Sequence, residues 1–273
     1  MQKLPYLNLG CGFHYNNKFT NLDFIKTGDE VIAHNLLSGI PFNNETFKLV
    51  YHSHILEHFG KIDAISFIKE CCRVLQKDGI IRIAVPDLEP IARNYIKYLD
   101  ECFIDDKHSK EKYNWTMLEL FDQTTRHKGG GDMIEYIKDE TKNNDAFLLH
   151  RNGNEVKLLF QNVRNKQNIN SNSDSISNFQ KVKNFVRKFL IKNVLKINEK
   201  ALEIGEFRLG GEIHQWMYDR YSLKLLLENN GFKNIVVVDA FKSNIDNWAS
   251  FELDSINGEV RKPDSLFIEA QKK

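Results

Sequence analysis

Two hydrophobic periods alternate through the first hundred residues. Short apolar or alternating runs at Leu4–Leu9, Thr20–Ile25, Glu30–His34, Phe47–Ser53 and Ile80–Val85 read as strands. From Asp63 onward Ile65, Ile68, Cys72 and Leu75 recur three or four apart, which predicts an amphipathic helix stopping before Asp78-Gly79. A second helix is predicted over Leu88–Leu99, after Pro86 closes the fifth strand. Strands alternating with helices predict a parallel α/β sheet covered by helices. The rhythm breaks from about Asp100 to Leu209. That stretch holds a helical pattern around Asn114–Phe121, a turn at Gly129-Gly130-Gly131 and the polar run 165–178, too poor in apolar residues to bury and expected to be a mobile linker. It closes on 179–202, where Val182, Phe185, Val186, Phe189 and Leu190 share one face and seven Lys/Arg stand against one Glu. This is a basic amphipathic helix. The α/β pattern then returns with a helix over Tyr221–Asn230 and strands at Lys233–Ala240 and Ser265–Ala270. The reading is one α/β domain, residues 1–100 with 209–273, interrupted by a largely helical and looped insertion, 101–208.

Composition narrows the function classes. With 38 Lys+Arg against 37 Asp+Glu the formal charge is +1, so no whole-molecule field gathers nucleic acid. No apolar run approaches the roughly 18–20 residues of a membrane span, and MQKLPYLNLG has no signal-peptide hydrophobic region. The four cysteines, Cys11, Cys71, Cys72 and Cys102, have neither metal-ligand spacing nor disulfide-scaffold density, and no metal is expected. A reduced, cytoplasmic protein is the expectation.

The candidate chemistry lies at strand ends. Gly10-Cys11-Gly12 directly follows the first strand, where missing β-carbons let a ligand approach the backbone. In a parallel sheet, ligands bind beyond the carboxyl ends of the strands. Asp23, at the end of the second strand, is placed to accept hydrogen bonds from both hydroxyls of a ribose, or to cap a turn. Asn35, after the third strand, either reads an adenine or forms a turn. The segment Ser53-His54-Ile55-Leu56-Glu57-His58 leaves the fourth strand toward the same rim and should wall the pocket.

These elements in this order, LNLGCG, NLD, HNL, IPFNNETFKLVYHSHILEHF and CRVLQKDGIIRIAVPDLE, resemble the class I S-adenosylmethionine-dependent methyltransferases. The branch they resemble most is the bacterial one associated with glycan and surface-polysaccharide gene clusters. The resemblance covers roughly 5–100 and 210–270. It implies a Rossmann-like, mostly parallel sheet whose last strand is antiparallel. It also implies S-adenosylmethionine as cofactor, with the glycine loop at its methionine part, Asp23 at the ribose, and Asn35 with Leu36 at the adenine. Asn8, Gly10, Cys11, Gly12, Asp23, Asn35, Leu36, Ser53, His54 and His58 form the candidate cofactor set. Asn8 and Asn35 stand where many members carry Asp. Only Gly10–Thr20 joins the first two strands, so the usual helix there must be very short or absent.

Two further segments resemble the same branch, Phe121–Met133 and Gly210–Asp219, flanking the insertion that in this architecture folds over the cofactor. His214, then His54, then His127 are the candidate general bases, and Arg126, Trp216 and Tyr218 the candidate acceptor contacts. The expected reaction is methyl transfer to an oxygen or nitrogen of a small-molecule, saccharide or glycan-precursor acceptor. The alternative is an inactive cofactor-binding scaffold or regulator. A nicotinamide-dependent dehydrogenase fits poorly, since the third glycine of GxGxxG would fall at Tyr15. Helix 179–202 is expected to pack on the domain or to touch an anionic membrane weakly. No nucleic-acid partner is expected.

Overall fold

The computed structural model describes residues 5–104, 108–166 and 198–273. Nine strands lie in the described chain: β1 Tyr6–Leu9, β2 Thr20–Asp23, β3 Val31–Ala33, β4 Phe47–Ser53, β5 Leu75–Pro86, β6 Phe232–Val238, β7 Ser255–Ile256, β8 Glu259–Val260 and β9 Ser265–Lys272. The α-helices are α1 Lys61–Val74, α2 Leu88–Phe103, α3 Lys110–Thr125, α4 Gly131–Lys138, α5 Asp145–Lys166, α6 Glu199–Leu209 and α7 Arg220–Asn229. α5 runs two residues into the predicted linker 165–178; the rest of that linker, and 179–197 of the predicted basic helix, lie outside the described residues.

Seven strands form one sheet in the order β3-β2-β1-β4-β5-β9-β6. β1 to β5 pair in parallel, and β9 runs antiparallel to both β5 and β6. This is the Rossmann-like class I arrangement expected from the sequence. β5 begins at Leu75 rather than Ile80. Its pairing with β4 shifts register between Phe47 and Leu49, so the turn expected at Asp78-Gly79 is an irregularity within the strand, with Asp78 at φ 62°. Among the described residues no helix is long and apolar enough to cross a membrane.

Side chains alternate across the strands, and the two faces are covered differently. Leu7, Leu9, Val50, Ile81, Ile83 and Ile268 point to the face packed by α1 (Phe67, Ile68, Cys71) and α7 (Leu223, Leu227). On the opposite face no helix joins β1 to β2, as expected. A mostly non-helical stretch near the C-terminus takes its place, setting Trp248, Phe251 and Leu253 against Phe19, Leu49 and Tyr51. Buried Arg82 anchors that cover. Its guanidinium contacts Asp254 (2.7 Å) and Glu269 (2.6 Å) and lies 4.5 Å from the Trp248 ring centroid.

His52, fully buried on the helical face, packs edge-on against Phe67 at 5.1 Å. Burial pushes its pKa from 6.5 down to about 3. Unfolded chains bind the proton below about 6.5 and the folded one does not until about 3, so this contribution to stability is complete above that range and is lost as pH falls through it. Urea midpoints should therefore show that His52→Leu loses about 3 kcal/mol less stability than the parent between about pH 7 and about pH 4. Equal acid sensitivity in the two proteins would refute this.

The inserted helices have their own core: Trp115 of α3, Ile137 of α4, and Leu148 and Val156 of α5. α5 kinks at Gly153 (φ 62°), where a β-carbon would stand 2.6 Å from Pro263 Cδ. That close approach seats α5 on the loop before β9. Asn152 donates to Asp264 Oδ2 at 3.1 Å and accepts from the Trp115 indole at 3.1 Å, while Lys262 pairs with Glu155 at 3.2 Å. The insertion is thereby tied to the carboxyl-end rim of the sheet.

Candidate active site

The carboxyl ends of the parallel strands carry two adjoining features. The first is the turn after β1, where Gly10 (φ 62°) and Gly12 (φ 57°) both take left-handed backbone. Gly12 N–H donates to Asp23 Oδ2 at 2.7 Å, so the carboxylate ending β2 sits on the glycine turn. A β-carbon on Gly12 would meet nothing within 4 Å, whereas one on Gly10 would stand 2.0 Å from Ile55 Cδ1. The turn thus has an open side beside a carboxylate and a side sealed by Ile55. An open backbone cradle next to an acidic strand end fits the adenosyl and methionyl parts of S-adenosylmethionine. Cys11 contributes main chain here: its thiol is buried, and burial together with nearby Asp23 pushes its pKa up to about 12.

Two members of the expected cofactor set are engaged otherwise. Asn8 is buried and donates its amide to Asn21 Oδ1 at 3.1 Å, a sheet-internal bond that turns it away from a ligand. Asn35 caps the 3-10 turn Leu36–Ser38, its carbonyl accepting from Leu37 N–H at 3.0 Å. Leu36 is half-buried beside it, packed against the main core. Ser53 ends β4, 3.5 Å from the Arg261 guanidinium.

The second feature is a cavity of about 410 Å³ between the rim and α3–α5. His54, Glu57, His58 and His214 line one wall, with Arg126, Asn152, Lys262 and Asp264 around them and Trp115 opposite. One segment, residues 54–58, separates the two features: Ile55 seals the glycine turn while His54, Glu57 and His58 face the cavity. His54 is held at φ 54° by its N–H bond to Ala84 O of β5 at 2.9 Å, and its Nε2 lies 2.8 Å from Ser265 Oγ. His214 is brought in by main chain. Gln215 and Trp216 N–H donate to Glu57 O at 2.7 and 3.2 Å, and His214 N–H donates to Gln123 O at 2.9 Å. The His214 ring then meets His58 edge-on at 4.9 Å.

Burial dominates the electrostatics. It holds His54 well below the usual imidazole range, lowers His58, and takes His214 to about 2, with neighbouring cations adding to each effect. It raises Glu57 to about 8 and raises Asp264. Near neutral pH the wall is therefore three uncharged imidazoles around a carboxyl group held largely protonated. Arg126 lines the cavity, paired with Asp122 (3.1 Å) and Glu212 (3.3 Å).

Three expected site residues lie elsewhere. His127 is exposed and outside the cavity lining. Trp216 also stands outside it, with Lys61 Nζ 3.7 Å from its ring centroid. Tyr218 is buried in the main core, its pKa pushed to about 12 by burial and then by Glu57, and its carbonyl accepts Leu88 N–H at 2.9 Å where α2 begins. Sequence reasoning named Glu57 only as part of the 53–58 wall and passed over Asn152, Lys262 and Asp264. Glu57 was legible as a carboxylate between two histidines in one short segment; the others belong to no motif.

Residues 7–83 match a family model described as a methyltransferase domain, a stretch that holds the glycine turn, Asp23 and the 54–58 segment. No curated protein matches the chain significantly. Among solved structures it is similar to the YcgJ protein of Bacillus subtilis (15% identity, TM-score 0.27, covering 36% of this chain and 52% of that one). It is also similar to an S-adenosylmethionine-dependent methyltransferase of Thermotoga maritima (11% identity, TM-score 0.40, 100% and 84%) and to one of Archaeoglobus fulgidus (11% identity, TM-score 0.39, 99% and 87%). The aligned region thus spans about half the length of the Bacillus protein. S-adenosylmethionine is the cofactor that the matched domain implies, and it is the one that the open turn beside Asp23 fits.

Proposed function

We propose that this protein is an S-adenosylmethionine-dependent methyltransferase whose acceptor, a small molecule or saccharide precursor, occupies the cavity between the rim and α3–α5 and receives the methyl on oxygen or nitrogen. The observation that carries this reading is the 54–58 segment, which touches the glycine turn through Ile55 and the cavity through three polar side chains. About 410 Å³ is the size of a small-molecule site. Its wall suits a polyhydroxylated ligand: Gln123, Glu155 and the unpaired Asp264 Oδ1 offer polar contacts, and Trp115 offers an apolar face.

When bound, the cofactor supplies a methyl carbon that takes the acceptor's lone pair as the carbon–sulfur bond breaks and its electron pair stays on sulfur. The residues of this chain do the rest. The turn and Asp23 hold one reactant, the cavity holds the other, and their fixed alignment is worth up to about 7–11 kcal/mol. A hydroxyl acceptor is a weak nucleophile near neutral pH, so its proton needs an acceptor, a role open to the uncharged imidazoles of His54, His58 and His214 and not to the largely protonated Glu57 carboxyl.

Methyl transfer from labelled cofactor, measured against nucleotide-sugar and lipid-linked saccharide acceptors, is the test. His214→Ala should lower turnover by about 100-fold or more while leaving cofactor affinity within about threefold. Undiminished turnover in that variant, or cofactor binding with no transfer to any such acceptor in the wild type, would overturn the reading.

A further inference from the structure

The wall of histidines has a second property. One ligand atom from each of Glu57, His58 and His214 lies within 4.8 Å of the others. Glu57 is 1% exposed and lines the cavity, yet neither carboxylate oxygen has a hydrogen-bond partner in the structure. His54 Nδ1 at 3.4 Å and His58 Nε2 at 4.0 Å stand beside Oε1 without hydrogen-bond geometry. Buried polar atoms left unpaired call for an explanation.

The geometry points to a divalent transition-metal site formed by Glu57, His58 and His214, with an open coordination position facing the cavity. The donor set selects the class of ion. Two imidazoles and one carboxylate suit Zn²⁺ or its first-row neighbours, whereas Mg²⁺ and Ca²⁺ favour all-oxygen sets. Three protein ligands rather than four is the pattern of a site that keeps a position for water or substrate. Bond lengths of about 2.0–2.2 Å would draw the three atoms closer together than the 4.8 Å within which they now lie.

The surroundings orient the donors. His58 Nδ1 lies 3.1 Å from Ile213 O, a carbonyl that can only accept; the proton is therefore on Nδ1, and Nε2 keeps its lone pair toward Glu57. The two main-chain bonds to Glu57 O bring the segment 214–216 alongside this pair. The sequence hid the arrangement because His214 is far from the other two in the chain, and the expectation of no metal rested on cysteine spacing. This inference builds on the proposed function in one respect: the open position faces the acceptor cavity, where it would take an acceptor oxygen.

The test uses tag-free protein stripped with chelator and dialysed, titrated calorimetrically with ZnCl₂ in the absence of S-adenosylmethionine; the visible spectrum of the CoCl₂-loaded protein reports the ligand field. One saturable site is expected, weakened at least about 100-fold in His214→Ala and in His58→Ala, since even second-sphere losses cost about 10–100-fold. The exposed His127→Ala should bind as the parent does. Thermal unfolding of each variant, read separately, establishes that it has folded. No saturable uptake by the parent, or equal uptake by parent and both cavity variants, would overturn the metal site. Because no methyl transfer is measured, either result leaves the methyltransferase reading to its own experiment.

Discussion

Asp23→Ala should lower the affinity for S-adenosylmethionine by about 100-fold while the protein stays folded. Charge-assisted hydrogen bonds contribute roughly 1.5–3 kcal/mol each, and a carboxylate reaching two ribose hydroxyls makes two of them. About 3 kcal/mol is about two decades in Kd. The same substitution releases Gly12 N–H, which now donates to Asp23 Oδ2 at 2.7 Å, and so loosens the turn itself. Asp23→Asn keeps an acceptor oxygen without the charge and should fall between the two. Calorimetry on the three proteins, with thermal unfolding as a control, reads the effect. Affinity within about threefold of the parent in folded Asp23→Ala would remove this residue from the cofactor site.

The largest stability effect is expected at Arg82. Its guanidinium is fully buried and meets Asp254 at 2.7 Å, Glu269 at 2.6 Å and the Asp239 carbonyl at 2.8 Å. Asp254 also accepts from the Tyr51 hydroxyl at 2.6 Å and the Trp248 indole at 3.0 Å, and Glu269 from Asn244 N–H at 2.8 Å. Arg82→Met keeps the stem and removes the charge, leaving two buried carboxylates uncompensated. Breaking a buried pair in this way costs about 3–5 kcal/mol. Urea unfolding should show that loss as a lower midpoint, and the non-helical cover carrying Trp248 should become sensitive to protease first. A stability within about 1 kcal/mol of the parent would contradict this role for Arg82.

The contrast between the two sites explains what the sequence disclosed. β1, β4 and β5 are legible because a strand covered on both faces is a dense apolar run, and α1 because its apolar residues recur at helical spacing. The glycine turn and Asp23 are legible because a backbone that must bend tightly or approach a ligand restricts which residues can stand there. The cover over the second face has no such period. Its aromatic residues, Trp248 and Phe251, pack on Phe19 and Tyr51 from the far end of the chain. Partners gathered across the chain leave no local pattern.

The same limit governs the cavity. His214 was legible as a candidate base, but its sequence neighbours Trp216 and Tyr218 are not its spatial ones. Trp216 carries Lys61 on the outside, Tyr218 joins the core, and His58 and Glu57 take the places beside the imidazole. Asn8 and Asn35 carry more than one reading. An Asn at a strand end reads as a ligand contact, yet an amide is equally able to bond Asn21 within the sheet or to cap the next turn.

The open glycine turn after β1 is proposed to receive an adenosyl sulfonium compound. Titrating the wild-type protein calorimetrically with S-adenosylmethionine, S-adenosylhomocysteine and NAD tests it most directly. One-to-one binding of the first two is expected, with no heat from the dinucleotide. Failure of both adenosyl compounds to bind, or equal binding of NAD, would contradict it.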